Sequence, residues 1–384
     1  MVKVIELVPT LGYGGAEALI KDYALLCDRD KVEITIVTWS GRLSTANEDL
    51  PREAGIRVIH LEELRFPAGK KLSFFQRIIR KIGRFADFRR LVITEKPDVI
   101  HMHLRIGAYM RVLPLKKLNT RLIYTVHNPL ERYFDKKVLK KKWWEYRECR
   151  RLIHKHNMLM ITLHEEMNRR TKEYFDTDNV LTLHNGINLE RFRGKDASRD
   201  RVREELGIGS EEYVIGHIGS VTPQKNHDYV VDMFANYAAA HAEAKLFLIG
   251  KGVEKPRILK KISESGYEDR IIFLEGRSDI PELMSAMDIF ILPSRFEGYP
   301  VVTLEAQAMG LTCVLSDRIT RECILTDRVA MVSIDGPVTA WCDVIDGIRN
   351  GSTEYYQAMT GELDDYDIKK CINRLENIYS GILK

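Results

Sequence analysis

The sequence predicts an α/β protein made of two Rossmann-like halves facing a central cleft. Three observations carry this. A chain of 384 residues is long enough for about two domains. Short apolar, β-rich runs alternate with helical patterns in each half, the rhythm of a parallel sheet covered by helices. The rhythm breaks near residues 186–196, at Asn-Gly-Ile-Asn and Arg-Gly-Lys-Asp, and starts again at Tyr213.

In the first half, Val2–Val8 reads as a strand, followed by the turn Gly12-Tyr-Gly-Gly15 and a helix to about Cys27. Strand runs recur at Glu33–Thr38, Arg57–His60, Val99–His103 and Leu122–Val126, and Leu181–Gly186 closes the half. The second half repeats the pattern at Tyr213–Gly219, Lys245–Gly250, Ile271–Leu274, Ile289–Leu292, Thr312–Leu315 and Ala330–Ile334. Tyr366–Leu383 reads as an amphipathic helix. The expected division is 1–190, 191–365 and a terminal helix 366–384. Ligands of such folds sit at the carboxyl ends of the strands.

Composition narrows the class. Hydrophobic content of 45% and charged content of 30% are ordinary for a globular protein. No apolar run approaches the roughly 18 residues that span a bilayer. Glu6 interrupts the first apolar run, so the N-terminus reads as a strand and not as a signal peptide. The six cysteines show no CxxC pair, which points to reduced thiols in a cytoplasmic protein. Residues 1–193 hold 37 Lys and Arg against 24 Asp and Glu, a balance of +13; residues 194–384 hold 22 against 31, a balance of −9. The two halves therefore suit different partners.

The most informative stretch is Pro293-Ser-Arg-Phe-Glu-Gly-Tyr-Pro-Val-Val-Thr-Leu-Glu-Ala-Gln-Ala-Met-Gly310. A buried strand, a Gly-Tyr-Pro turn and a helix follow one another. That order aims free amides at a ligand beyond the strand, and such a terminus favours phosphate. Glu297 lies in the loop and Glu305 about one turn inside the helix. Carboxylates repel phosphate but suit the hydroxyl-rich ends of a nucleotide sugar.

This stretch resembles the E-x7-E signature of the retaining glycosyltransferases of family 4, which have the GT-B fold, and the resemblance extends over nearly the whole chain. It implies that Glu297 contacts the donor sugar and that Glu305 binds the ribose hydroxyls. Amides near Tyr299, Val301 and Val302 would face the diphosphate. The plainer alternative is a surface helix with two solvated glutamates.

The remaining candidates follow from the same resemblance. Gly14 and Gly15, with Glu17 beside them, take the place of a G-G-x-E sequence near the donor phosphates and the acceptor; alone, they would pass for a structural turn. Lys225, in Thr-Pro-Gln-Lys-Asn-His, takes the place of a lysine that neutralises the diphosphate. Ser220 stands where an arginine is usual, so one charge is missing, and Arg295 and Lys251 are the nearest substitutes by motif. His127 ends a strand, where the family places a histidine that contacts the donor sugar; a satisfied core histidine is the alternative. His101 and His103 share one strand face, so a metal pair is conceivable, but the sequence offers no third ligand and a structural or acceptor-side role is preferred. His164 stands where serine is usual, and Thr312 where proline is usual.

Two basic stretches stand out. Lys70–Arg90 carries Lys70, Lys71, Arg77, Arg80, Lys81, Arg84, Arg89 and Arg90 around Phe74, Phe75, Ile78, Ile82, Phe85 and Phe88. Lys136–Lys155 carries Lys136, Lys137, Lys140, Lys141, Lys142, Arg147, Arg150, Arg151 and Lys155 around Trp143 and Trp144. Both suit an anionic membrane surface, or are the solvated faces of ordinary helices. No nucleic-acid motif accompanies the charge.

The sequence therefore implies a retaining, metal-independent hexosyltransferase without a cofactor. It would move a sugar from a UDP- or GDP-sugar, UDP favoured, to a saccharide acceptor that is possibly lipid-linked, in cell-surface polysaccharide biosynthesis. It would act in the cytoplasm, or on the inner face of the membrane. His127, Glu297 and Lys225 are the catalytic candidates. A non-catalytic nucleotide-sugar-binding subunit, and a GT-B sugar-nucleotide epimerase or phosphorylase, are the rivals.

Overall fold

The computed structural model describes residues 1–66, 72–104, 107–134, 140–193, 198–277, 279–356 and 362–383. Lys70, Lys71, Lys136 and Lys137 of the basic stretches lie outside these residues, as do the side chains of Lys140, Lys141 and Lys142 and the positions Gly194, Lys195 and Asp196 near the expected boundary. The chain forms two compact units, one of residues 1–185 with 369–384, the other of residues 186–368.

The first unit holds a seven-stranded sheet of β1 (Val2–Val8), β2 (Val32–Thr38), β3 (Arg57–His60), β4 (Val99–His103), β5 (Arg121–Thr125), β6 (Leu159–Thr162) and β7 (Val180–Thr182). The spatial order is β3-β2-β1-β4-β5-β6-β7, and every pairing is parallel. Strand order reverses between β1 and β4. These central strands are buried on both faces, so they read as continuous apolar runs. The exceptions are Glu6 on β1 and His101 and His103 on β4, all without solvent exposure.

The last helix, Ile368–Ser380, belongs largely to this unit. Its amphipathic pattern buries Leu375, Ile378 and Tyr379. Polar contacts help to fix it. Asp28 donates its amide to Glu376 at 2.7 Å. The Arg121 guanidinium donates to the carbonyls of Ile378, at 3.0 Å, and Tyr379. The Tyr379 hydroxyl donates to Glu6. Arg121 thus satisfies the final carbonyls and complements the negative end of the helix, and Gly381 ends it with φ of +76°.

The second unit holds a six-stranded sheet of β8 (Tyr213–Ile218), β9 (Ala244–Ile249), β10 (Ile271–Leu274), β11 (Ile289–Leu292), β12 (Thr312–Ser316) and β13 (Val329–Val332). Its order is β10-β9-β8-β11-β12-β13, again all parallel. Order reverses between β8 and β11, so the crevice that such folds use for ligands lies at the carboxyl ends of those two strands. Val230, Phe234 and Tyr237 of the helix His227–Ala240 and Trp341 of the helix Thr339–Arg349 pack one side of this sheet.

The described part of the basic stretch Lys70–Arg90 lies mostly on one helix and falls into two parts. Ser73 and Gln76 form a reciprocal cap that starts the helix Phe74–Glu95. Phe85 and Phe88 of its second half meet the Trp39 ring, with centroids 5.0 and 6.1 Å away. Its first half leaves Phe74, Phe75 and Ile82 exposed at 72%, 75% and 67%, with Ile78 and Ile79 beside them. The helix Lys140–His156 differs: Glu145 and Glu148 are buried in it, and Glu148 pairs with Arg111 and Arg151. None of the helices among the described residues is long and apolar enough to cross a membrane, and the six cysteines are free thiols.

Replacing Arg121 with Ala removes both charge-assisted bonds to the last helix. We expect a loss of roughly 1.5–3 kcal/mol in urea unfolding, with faster hydrogen exchange confined to residues 369–383. Unchanged exchange there would show that apolar packing alone holds the helix.

Candidate active site

In the second unit, two loops leave β8 and β11 side by side. Asn226, at φ of +59°, turns the first loop and donates its side-chain amide to Pro293 O at 3.2 Å. Arg295 donates its backbone N–H to Gln224 O at 2.9 Å and its Nε to Asn226 Oδ1 at 3.1 Å. Glu297 receives Lys225 Nζ at 2.7 Å on one oxygen and Gln224 Nε2 at 3.0 Å on the other. Both members of the ion pair are largely shielded, with side chains 14% and 7% exposed. An ammonium has three donors, so Lys225 keeps hydrogen-bonding capacity beyond this bond.

The helix Val301–Ala308 begins at Pro300 with no side-chain cap, which leaves its start suited to an external anion. Val301 and Val302 are half-buried in its first turn, and Glu305 is half-buried one turn on. Tyr299 is different. Its ring is buried, stacks on Tyr366 with centroids 6.0 Å apart, and its hydroxyl donates to Glu322 O at 3.1 Å. Burial holds that phenol neutral, far above the usual tyrosine range. The Tyr299 side chain is thus engaged within the protein.

Ser220 lies on the loop after β8, and Val221 of that loop donates its N–H to Lys251 O at 3.0 Å. The two backbones are so close that a Cβ at Gly250 would stand 1.9 Å from Gly219 O; only glycine fits. Lys251 and Arg295 are both exposed and both sit on loops touching the Ser220–Lys225 segment. The structure therefore brings Ser220, Lys225, Lys251, Arg295 and Glu297 to one edge of this sheet.

The first unit holds the rest. Gly14 caps the helix Gly15–Leu26, and Gly15 opens it toward space free of neighbours. A Cβ on Gly14 would meet the Glu17 carboxylate at 2.2 Å. Glu17 thus folds back over the helix start, and burial raises its pKa.

His127, 8% exposed, follows β5 and joins a buried chain that the sequence does not reveal. Its Nε2 lies 2.8 Å from His103 Nδ1, and His103 Nε2 lies 2.7 Å from Glu6 Oε2. Tyr379 donates to the other Glu6 oxygen, His101 Nδ1 lies 2.7 Å from the Tyr379 hydroxyl, and His101 Nε2 lies 2.7 Å from Thr125 Oγ1. Glu6 is thus the third member that the sequence lacked beside His101 and His103. It is invisible to local spacing because it is brought in by strand pairing, Glu6 opposite His101. The ligand atoms of these three residues fall within 4.8 Å of one another, a spacing that a cation accepts, but each already has a hydrogen-bond partner in the protein.

Burial pushes the Glu6 carboxyl upward, yet His101, His103 and their hydrogen bonds outweigh it and keep Glu6 ionised, well below the usual carboxylate range. Burial, and then the His101 charge, lower His103 to about 4. Burial and both neighbouring histidines hold His127 well below the usual range. In the second unit, burial likewise depresses His217, and His227 to about 4; their rings meet edge to face at 4.6 Å. His164 caps the helix Glu165–Phe175, its Nδ1 accepting from Met167 N at 3.3 Å. That explains how histidine serves where serine is usual, since either side chain can cap. Thr312 simply opens β12.

Residues 198–351 match the family model "Glycosyl transferases group 1", and residues 13–191 match "Glycosyltransferase Family 4". EpsF of Bacillus subtilis (strain 168) is 23% identical over 390 residues, 98% of this chain and 96% of that one. The UDP-Gal:alpha-D-GlcNAc-diphosphoundecaprenol alpha-1,3-galactosyltransferase of Escherichia coli is 27% identical over 326 residues, 79% of this chain and 80% of that one. Among solved structures, Anabaena Alr3699/HepE in complex with UDP and glucose superposes with a TM-score of 0.76 over 100% of both chains, at 18% identity.

The buried histidines set a pH dependence. With His103 and His227 near 4 in the folded state and near 6.5 unfolded, the unfolded chain binds more protons between those values. Their contribution is complete above pH 6.5 and is lost as pH falls toward 4, roughly 3 kcal/mol for each such shift. Glu6 acts in the same sense below the ordinary carboxylate pKa, because its folded value is depressed. The urea midpoint should therefore fall steadily from pH 7 to pH 4.5. A flat profile over that range would contradict the neutral, buried assignment.

Proposed function

The chain belongs to the glycosyltransferases of the GT-B fold, and we propose that it transfers a hexosyl group from a UDP-sugar to a saccharide hydroxyl with retention at the anomeric carbon. One relative, LpsB of Rhizobium meliloti (strain 1021), is named as a lipopolysaccharide core biosynthesis mannosyltransferase. The observation that carries the reading is the edge of the second sheet, where the Lys225–Glu297 pair lies on the loops flanking the strand-order reversal, beside the uncapped helix that bears Glu305.

In this reading Glu305 accepts the ribose hydroxyls and Glu297 accepts hydroxyls of the donor sugar. Lys225 spans Glu297 and the leaving diphosphate with separate N–H groups. The amides of Val301 and Val302 take further phosphate charge, and Arg295 and Lys251 supply the cation that Ser220 does not. Charge that develops on the diphosphate as the glycosidic bond breaks is met by fixed donors, so no metal is needed. The acceptor attacks from the face that the leaving group vacates, and a diphosphate oxygen takes its proton. The first unit, with Gly14, Gly15 and His127, serves the acceptor and the sugar end of the donor. UDP is favoured because the Escherichia coli relative is named for UDP-Gal and the Anabaena structure holds UDP.

The same relative's name carries a diphosphoundecaprenol-linked acceptor. A lipid-linked acceptor and a peripheral place on the inner membrane face agree with the exposed Phe74, Phe75, Ile78, Ile79 and Ile82, which lie in one helical stripe next to Arg77 and Lys81. Apolar side chains enter the interface while the cations meet anionic headgroups.

Two tests follow. By calorimetry, Lys225→Ala should weaken UDP by roughly 1.5–3 kcal/mol while leaving uridine nearly unchanged, whereas Glu305→Ala should weaken both. Equal losses of UDP and uridine in the lysine variant would remove Lys225 from the diphosphate. The chain should co-sediment with phosphatidylglycerol vesicles at low salt and release at high salt, and Phe74→Ser with Phe75→Ser should weaken binding at both. Binding that this double change leaves intact would return the stripe to an ordinary exposed surface.

A further inference from the structure

The hydrogen bonds around Glu6 leave one consistent placement of protons. Glu6 is acceptor-only when ionised. It receives the Tyr379 hydroxyl on one oxygen and lies 2.7 Å from His103 Nε2 on the other, so His103 carries its proton on Nε2. A neutral imidazole then has a bare Nδ1. That atom lies 2.8 Å from His127 Nε2, so His127 donates there. The proton of His127 is thereby on Nε2, and its Nδ1 holds a lone pair. On the other branch Tyr379 gives its proton to Glu6, so its oxygen accepts from His101 Nδ1.

We infer that Glu6 is a positioning residue that acts through His103 to fix the tautomer of His127, so that His127 presents Nδ1 as a hydrogen-bond acceptor and reads a hydroxyl on its ligand. The hydroxyl part rests on the sugar contact proposed above for His127; the tautomer does not. Geometry makes Glu6 the origin of the order. Its carboxylate receives a hydrogen bond from each branch, it lies on β1 opposite His101 on β4, and it has no exposure. An acceptor at His127 favours sugars with a hydroxyl at the contacted carbon. It disfavours those with a carbonyl, carboxylate or fluorine there, since two acceptors would face each other.

The experiment is long-range proton–nitrogen correlation of the full chain labelled with nitrogen-15 in histidine, with His127 identified by comparison with His127→Asn. We expect His127 as a single tautomer, protonated on Nε2 and bare on Nδ1. A His127 protonated on Nδ1, or a mixture, would overturn the inference. Glu6→Gln should produce both tautomers, because an amide satisfies either proton order. A single unchanged tautomer in that variant would overturn the role of Glu6. Tyr379→Phe keeps the Glu6–His103 bond and should leave His127 unchanged, and a shift to the other tautomer would also overturn it. If Glu6→Gln fails to fold, the wild-type and Tyr379→Phe spectra decide. Addition of UDP-glucose, against UDP alone, separates the two readings. A His127 signal that ignores the sugar would overturn the contact and the hydroxyl assignment, while the tautomer stands on the spectra without ligand.

Discussion

An ionised carboxylate with no solvent exposure, Glu6, constrains the first unit. A charge in such a place is tolerated only when its oxygens are filled by hydrogen bonds. Glu6 fills them with Tyr379 and His103. The first ties the C-terminal helix to β1. The second runs through His103 to His127, the residue proposed to face the sugar. Stability of the unit, docking of its last helix and order at His127 therefore share one origin.

The second unit solves a different problem. Its reversal point is built on glycine. Gly219, Gly250 and Gly252 let two loops touch along their backbones, and the charges stand above them as the pair Lys225–Glu297. In the proposed function the chemistry divides along this line. Rigid backbone and a helix start suit a diphosphate, whose recognition is geometric, while an ordered relay of neutral side chains suits hydroxyls, whose recognition depends on which atom holds the proton.

Much of this was legible in the sequence. Strand runs such as Ile289–Leu292 are apolar because parallel strands are covered on both faces, and they mark the sheets directly. The strand, loop and helix around Glu297 and Glu305, and the loop of Lys225, could be placed because each is contiguous in the chain. Glu6 was read only as an interruption of an apolar strand. Its partners are 95, 97 and 373 positions away, and pairing of that kind leaves no local pattern. The burial of the Tyr299 ring against Tyr366 was hidden for the same reason. Exposure of the first half of the helix Phe74–Glu95 could not be read either, because an apolar stripe looks alike whether it faces a core or solvent.

The central claim is retention at the sugar carbon, driven by protein donors and not by a metal. Proton NMR of the sugar released when purified protein slowly hydrolyses an α-configured UDP-sugar in EDTA, without acceptor, tests it most directly. The account predicts that the first sugar to appear is the α anomer, before mutarotation mixes the two, and that EDTA does not slow its release. First appearance of the β anomer, or hydrolysis that stops in EDTA and returns with magnesium or manganese, would contradict it.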